Sequence, residues 1–288
     1  MALPTEPPDT SELVFRQPLA AGCATAEAVY VFSDGGGTAR FDGTTWALVD
    51  PTLRSLTAAV CTRDRAVAVG PAGRVVTVSD RELSLRVDTV QVDDLNGVAT
   101  LTDGVIAVGA RGTVLRQGSS WQPFARGITE DLFGVAAFSG TSAWVVGANG
   151  VSLRLEPDGF HPVPTGVTST LRSISGTRVD DVVAVGDGGV ALSFVGATGG
   201  AWRPIPLSTT ANLHAVAKPG QFLVIVGDGG VAILISETGE HRVDLKTTCD
   251  LRAVFFRGNG EYWIVGSSAG RAGVWRVAGD RLDRWGTC

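Results

Sequence analysis

One short phrase constrains this chain more than anything else in it: Val-Gly-x-x-Gly followed by an apolar run. It reads Val69-Gly70-Pro71-Ala72-Gly73, Val108-Gly109-Ala110-Arg111-Gly112 and Val146-Gly147-Ala148-Asn149-Gly150. It returns as Val185-Gly186-Asp187-Gly188-Gly189 and Val226-Gly227-Asp228-Gly229-Gly230. A looser copy is Val265-Gly266-Ser267-Ser268-Ala269-Gly270, and a degenerate first copy is Phe32-Ser33-Asp34-Gly35-Gly36-Gly37. The anchor glycines from Gly70 to Gly266 are spaced 39, 38, 39, 41 and 39 residues apart. Repeats of this length are single supersecondary units that must stack to bury their apolar faces.

Each repeat opens with Leu, a variable residue, then Ala, Gly or Ser. The openings are Leu19, Leu56, Leu95, Leu132, Leu171, Leu213 and Leu251. A small third residue suits an innermost strand, where backbones crowd towards an axis. The second strand is continuously apolar, as in Ala143-Trp144-Val145-Val146 and Leu223-Val224-Ile225-Val226, which implies burial on both faces. The glycine phrase makes a hairpin into a third strand. A fourth strand follows, often opened by an aromatic: Trp46, Trp121, Phe160, Trp202 and Trp285. The expectation is an all-β, seven-bladed β-propeller of four-stranded blades.

The Pro-rich residues 1–11 read as a tail, and residues 12–288 as one propeller domain. Glu12-Leu13-Val14-Phe15-Arg16 is strand-like, and only three residues follow Trp285. This N-terminal strand is therefore expected to join the last blade and close the ring.

Composition narrows the function. Net charge is −5, with 18% charged and 44% hydrophobic residues. Binding nucleic acid by phosphate neutralisation is disfavoured. No apolar run reaches the roughly 18 residues of a membrane span. Leu19-Ala20-Ala21-Gly22-Cys23 looks like a lipoprotein cleavage box, but no continuous apolar core precedes it, and it reads as the first innermost strand. Export is favoured over the cytoplasm, with any targeting segment already removed.

Cys23 and Cys61 fall on the same strand of neighbouring repeats, Cys249 precedes the last repeat, and Cys288 ends the chain. A Cys249–Cys288 staple is attractive. Buried free thiols, acting as small hydrophobes, are the alternative for both pairs. There is no Cys-x-x-Cys, and three scattered histidines suggest no zinc site.

The phrases Val185-Gly186-Asp187-Gly188-Gly189-Val190 and Arg40-Phe41-Asp42-Gly43-Thr44-Thr45-Trp46 resemble the repeats of photosystem II assembly-factor-type propellers. Those are related to the bacterial neuraminidase (Asp-box) repeats, and similar ones occur in secreted or envelope proteins of myxobacteria. The resemblance spans about residues 12–288. It implies a non-catalytic scaffold that holds a protein partner. Sialidase chemistry is not supported: Phe15-Arg16-Gln17-Pro18 is similar to one substrate-binding segment of those enzymes, but a full Asp box is missing and only two tyrosines exist.

The residue after each opening leucine should ring the channel mouth: Ala20, Thr57, Asn96, Phe133, Arg172, His214 and Arg252. Nearby hairpins add Arg111, Asn149, Asp187 and Asp228, and the lead-in loops add Asp93, Asp94, Glu130, Asp131 and Asp250. Arg111, Asn149, Arg172, Asp187, His214, Asp228 and Arg252 are the candidate partner-binding residues. One reading is a docking face with a cationic arc for a carboxylate or acidic peptide. The other is that Arg172 and Arg252 pair with Asp187 and Asp228 or other carboxylates between blades. The Asp-Gly-Gly turns are hairpin chemistry: calcium needs six to eight oxygens, and a phosphate loop needs a following helix. There is no Gly-x-Ser-x-Gly and no His-Glu-x-x-His. No catalytic residue, metal or cofactor is assigned. The favoured function is a monomeric scaffold for a protein or peptide. A carbohydrate-binding propeller, which needs exposed tryptophans in equivalent pockets, is the first alternative, and a channel-mouth hydrolase or lyase the second.

Overall fold

The computed structural model describes residues 17–34, 37–50, 55–80, 84–196, 199–258 and 260–288. The tail 1–11 and the expected closing strand 12–16 lie outside them. The described residues form seven four-stranded antiparallel sheets, each a meander of strands consecutive in sequence. The chain is a seven-bladed β-propeller. Blade 1 begins with Leu19–Ala24 and ends with Trp46–Asp50; blade 7 runs from Asp250–Gly258 to Arg281–Gly286. All four strands of blade 7 therefore come from the C-terminal segment. The last of them, Arg281–Gly286, carries Trp285 near its end, whereas Trp46 and Trp121 open their strands as expected.

The core is distributed. Seven apolar clusters occupy the seven blade junctions among the described residues. The second strands show why their sequences are continuously apolar. In Gly104–Gly109 of blade 3, Val105 and Ala107 pack towards blade 2, while Ile106 and Val108 pack towards blade 4. Alternate side chains of a strand point to opposite faces, and here both faces are junctions.

The anchor glycines have a different cause from the one hairpin chemistry suggests. Gly109, Gly147 and Gly186 are extended, near φ −165°, so backbone conformation does not demand glycine there. Proximity does: a Cβ on Gly109 would stand 2.0 Å from the Asp94 carbonyl oxygen, and one on Gly186 would stand 2.0 Å from that of Thr170. The left-handed stretch begins two residues later, at Ala72, Arg111, Asn149, Gly188 and Gly229, and continues into the closing glycine of each phrase.

Both cysteine pairs are disulfides. Cys23–Cys61 joins the innermost strands of blades 1 and 2, and Cys249–Cys288 ties the last residue to the approach to blade 7. Neither spans the seam between blades 7 and 1. There Ser267 Oγ donates to the Leu19 carbonyl at 3.3 Å, and Arg257 Nη2 to that of Glu27 at 3.3 Å.

Candidate functional site

The axis of the propeller is a channel of about 630 Å³. Its wall includes Ala20, Thr57, Asn96, Phe133, Arg172, His214 and Arg252, the residue after the opening leucine of every blade. A register shift aims most of them. In blade 5, Leu171 pairs with Gly186 and Ser173 with Val185, so Arg172 has no partner across the ladder. The same shift leaves Ala20, Asn96, Phe133, His214 and Arg252 unpaired in their blades. Such bulges turn a side chain out of the regular alternation, here towards the axis.

Two of these side chains also bind blades together. Thr57 Oγ1 donates to the Leu95 carbonyl at 2.6 Å, and Asn96 Nδ2 to the Leu132 carbonyl at 3.0 Å. In four blades the residue before the opening leucine plays a comparable part. Asp94, Asp131, Asn212 and Asp250 accept through side-chain oxygens from the backbone N–H of Ala72, Arg111, Gly188 and Gly229, at 2.8–3.1 Å. Each acceptor thus caps the left-handed residue of the preceding blade. The carboxylates of the lead-in loops are in good part structural.

The cationic arc is present, and each cation has an anion. Arg172 grips Asp187 with two bonds, Nε to Oδ1 at 2.5 Å and Nη2 to Oδ2 at 3.0 Å. Arg252 Nη2 donates to Asp250 Oδ2 at 2.9 Å, not to Asp228. Asp228 instead meets His214 Nε2 at 2.5 Å and accepts from Asn212 Nδ2 at 3.0 Å. Burial pushes the Asp228 carboxyl up. The hydrogen bonds from His214 and Asn212, with the charges of His214 and Arg252, outweigh it and hold the group below its ordinary value. The Arg172 and Arg252 side chains remain 37% exposed each, and both line the channel.

Not all candidate residues join this group. Arg111 points to Asp93 at the edge of the face, and Asn149 is an exposed hairpin tip with φ 55°. Away from the channel, Glu156, Asp158 and His161 bring three metal-ligand atoms within 4.8 Å on the outer hairpin of blade 4. The run Glu156-Pro157-Asp158-Gly159-Phe160-His161 held that signal, since a tight hairpin folds its ends together. All three are exposed, and His161 Nε2 already lies 2.8 Å from Asp158 Oδ1.

No protein-family model matches the chain, and no curated protein matches it. Solved structures do. The chain is similar to U3-55K, with a TM-score of 0.73 at 11% identity over 88% of this chain and 90% of that one. The RRP9 WD40 repeats match with a TM-score of 0.69 at 10% identity, covering 88% and 89%. YCF48 bound to a D1 peptide matches with a TM-score of 0.61 at 17% identity, covering 77% and 78%. At these identities the likeness is one of fold.

Proposed function

We propose that this propeller is a non-catalytic scaffold that holds a protein or peptide partner on the channel-mouth face. The observation that carries the reading is the arc of Arg172, His214 and Arg252. Three consecutive blades aim a basic side chain at one opening through the same bulge, and the two arginine side chains stay partly exposed. Guanidinium edges favour carboxylates. Phe133 on the channel wall supplies an apolar contact. That a fold neighbour is YCF48 with a peptide bound is a precedent for such use of the architecture.

A protein partner fits better than a glycan. Trp46, Trp144, Trp202, Trp263 and Trp275 are buried, which leaves them unable to stack on a sugar. Two disulfides accord with an oxidising compartment, and so with an exported scaffold in an envelope or assembly complex. The test is affinity capture from the native organism with the wild type and an Arg172→Ala/His214→Ala/Arg252→Ala triple variant. The wild type should retain a partner that the triple variant loses. Equal recovery by both would remove this face from consideration.

A further inference from the structure

We infer that the acidic N-terminal segment of this chain is a tethered competitor at the channel mouth: its Glu12 carboxylate sits on Arg252 until a partner displaces it. The inference rests on the channel-mouth reading and deepens it.

Arg252 has donors to spare, whereas Arg172 is committed. Arg172 gives Nε and Nη2 to the two oxygens of Asp187. Arg252 gives only Nη2, to Asp250 at 2.9 Å. Its Nη1 lies 3.0 Å from His214 Nε2, but that nitrogen is 2.5 Å from Asp228 Oδ1. A carboxylate this close keeps the proton on Nε2, so Arg252 Nη1 meets an N–H and gains no acceptor there. Among the described residues Arg252 Nε has no acceptor either. Nη1 and Nε remain for an incoming carboxylate.

Arg252 also lines a second cavity, of about 500 Å³, at the top of the seam between blades 7 and 1. The looser glycine phrase builds one wall of it. Blades 2 to 6 turn at once after the anchor glycine, but in blade 7 Ser267 pairs with Ala272 and Ser268 with Arg271, so the hairpin stands taller. Asp34 faces the cavity from blade 1. Its hydrogen bonds run through its backbone, to the Pro18 carbonyl and from the Ser55 hydroxyl, which leaves its carboxylate for a cation. Asp250, the other acid of the lining, already holds Arg252 and the Gly229 N–H.

The occupant is named by where the chain enters. Pro18 lines this same cavity, and residues 1–16 lead up to it. They carry Glu6, Asp9 and Glu12, and no lysine or arginine before Arg16. Blade 7 has four strands of its own, so it leaves this segment to the cavity. Six residues separate Glu12 from Pro18, a reach of up to about 20 Å. The charges match in order along the chain: Arg16, next to the entry, complements Asp34, and Glu12 complements the open donors of Arg252. Carboxylate and guanidinium make a charge-assisted pair. A short tether holds such a group at an effective concentration of about millimolar, so even a weak contact is populated.

The test keeps the full chain and removes only the charge, with a Glu6→Gln/Asp9→Asn/Glu12→Gln variant. Nitrogen NMR follows the Arg252 Nε–H signal, assigned by its loss in Arg252→Lys. The signal should differ between wild type and the neutral variant, while that of Arg172 should not. Acetyl-Gly-Glu-Gly-Glu-Gly-amide, titrated into each, is the carboxylate probe. It should bind the neutral variant about tenfold more tightly, the scale of losing a tethered competitor. An Arg252 signal that is the same in both proteins overturns the inference, and binding of the probe then leaves the docking face standing. A changed Arg252 signal with no probe binding to either protein supports the tail contact and tells against a carboxylate-binding mouth. Equal probe affinity for both proteins overturns the competition.

Discussion

Trp263 and Trp285, on the second and fourth strands of blade 7, stack with ring centroids 5.4 Å apart and planes 9° from parallel. Phe41 of blade 1 packs against both, at 5.5 and 5.3 Å, and Trp46 completes the group. This aromatic cluster occupies the seam where the first blade meets the last. The seam carries no disulfide, and its described strands do not exchange between blades, so it is held by buried apolar side chains, these rings among them, and by the bonds of Ser267 and Arg257. Phe41 is 3% exposed. Phe41→Ala should cost about 3–5 kcal/mol, the usual range for emptying a buried aromatic site. Val87→Ala, on an exposed outer-strand residue, is the control and should shift the denaturation midpoint little. Equal midpoints for the two variants would show that the seam is held by something else.

The disulfides should matter through the unfolded chain. Each closes a loop of about the same length, with sequence separations of 38 and 39 residues. Loop-closure entropy for such lengths gives about 4 kcal/mol per bond. The two losses differ in where they act. Replacing Cys23 and Cys61 by serine frees blade 1 from blade 2 along the channel wall. Replacing Cys249 and Cys288 frees the chain end beside the outer strand of blade 7. Both double variants should melt below the wild type. Protease should clip the second one first near its C-terminus. Four titratable thiols in the denatured, unreduced protein would contradict both bonds.

Blade number and the order of strands were legible because they depend on local periodicity. The Leu-x-small opening, the apolar second strand and the glycine phrase each report burial within one repeat. What depended on how one strand or loop meets another was hidden. The bulge that aims Arg172 depends on Leu171 pairing with Gly186 while Ser173 pairs with Val185, a register that no single strand encodes. The anchor glycines stood out in the sequence, but their cause, the approaching carbonyl of a lead-in loop, belongs to the fold. Which carboxylate Arg252 takes was open for the same reason. Asp228 is reached by His214 of its own blade, and Asp250, two residues before Arg252, is nearer to the guanidinium. The Cys23–Cys61 pair was the harder one to foresee, since the two stand one position out of phase in their repeats.

Asp42 explains the fragment of an Asp box around it. Its carboxylate accepts from the Thr44 and Thr45 N–H groups at 2.8 and 2.9 Å and from their hydroxyls at 2.7 and 3.3 Å. The motif is a turn, closed before Trp46 enters its strand. Asp42→Ala should destabilise by about 1 kcal/mol through the lost turn bonds. The bonds from Thr45 and Thr44 hold the carboxyl far below its ordinary range. The depressed value fixes the sign: the stabilisation is present above about pH 4 and is lost as pH falls towards the folded-state value. Denaturant midpoints of wild type and Asp42→Ala should therefore converge on acidification. A gap that stays constant down to about pH 2 would mean that the turn does not depend on the ionised carboxylate.

The alkaline limb of stability should belong to Tyr30. Its ring is fully buried in blade 1, and its hydroxyl donates to Asp80 Oδ1 at 2.5 Å. Burial first, then the bond to Asp80 and the charge of Asp80, push the phenol up from 10.0 to about 12. Arg40 acts in the opposite direction and is outweighed. Between these values the unfolded chain has given up a proton that the folded chain keeps, so rising pH favours unfolding. The contribution is whole below pH 10 and disappears as pH climbs through about 12, a loss of about 2–3 kcal/mol. Tyr30→Phe removes the titrating group and also leaves Asp80 short of a donor, so it should be less stable than wild type near neutral pH. That gap should shrink through the alkaline range as the wild type loses its own advantage. A gap that is unchanged, or a native-state phenolate absorbance that rises at the ordinary tyrosine value, would show that Asp80 does not hold the proton on Tyr30.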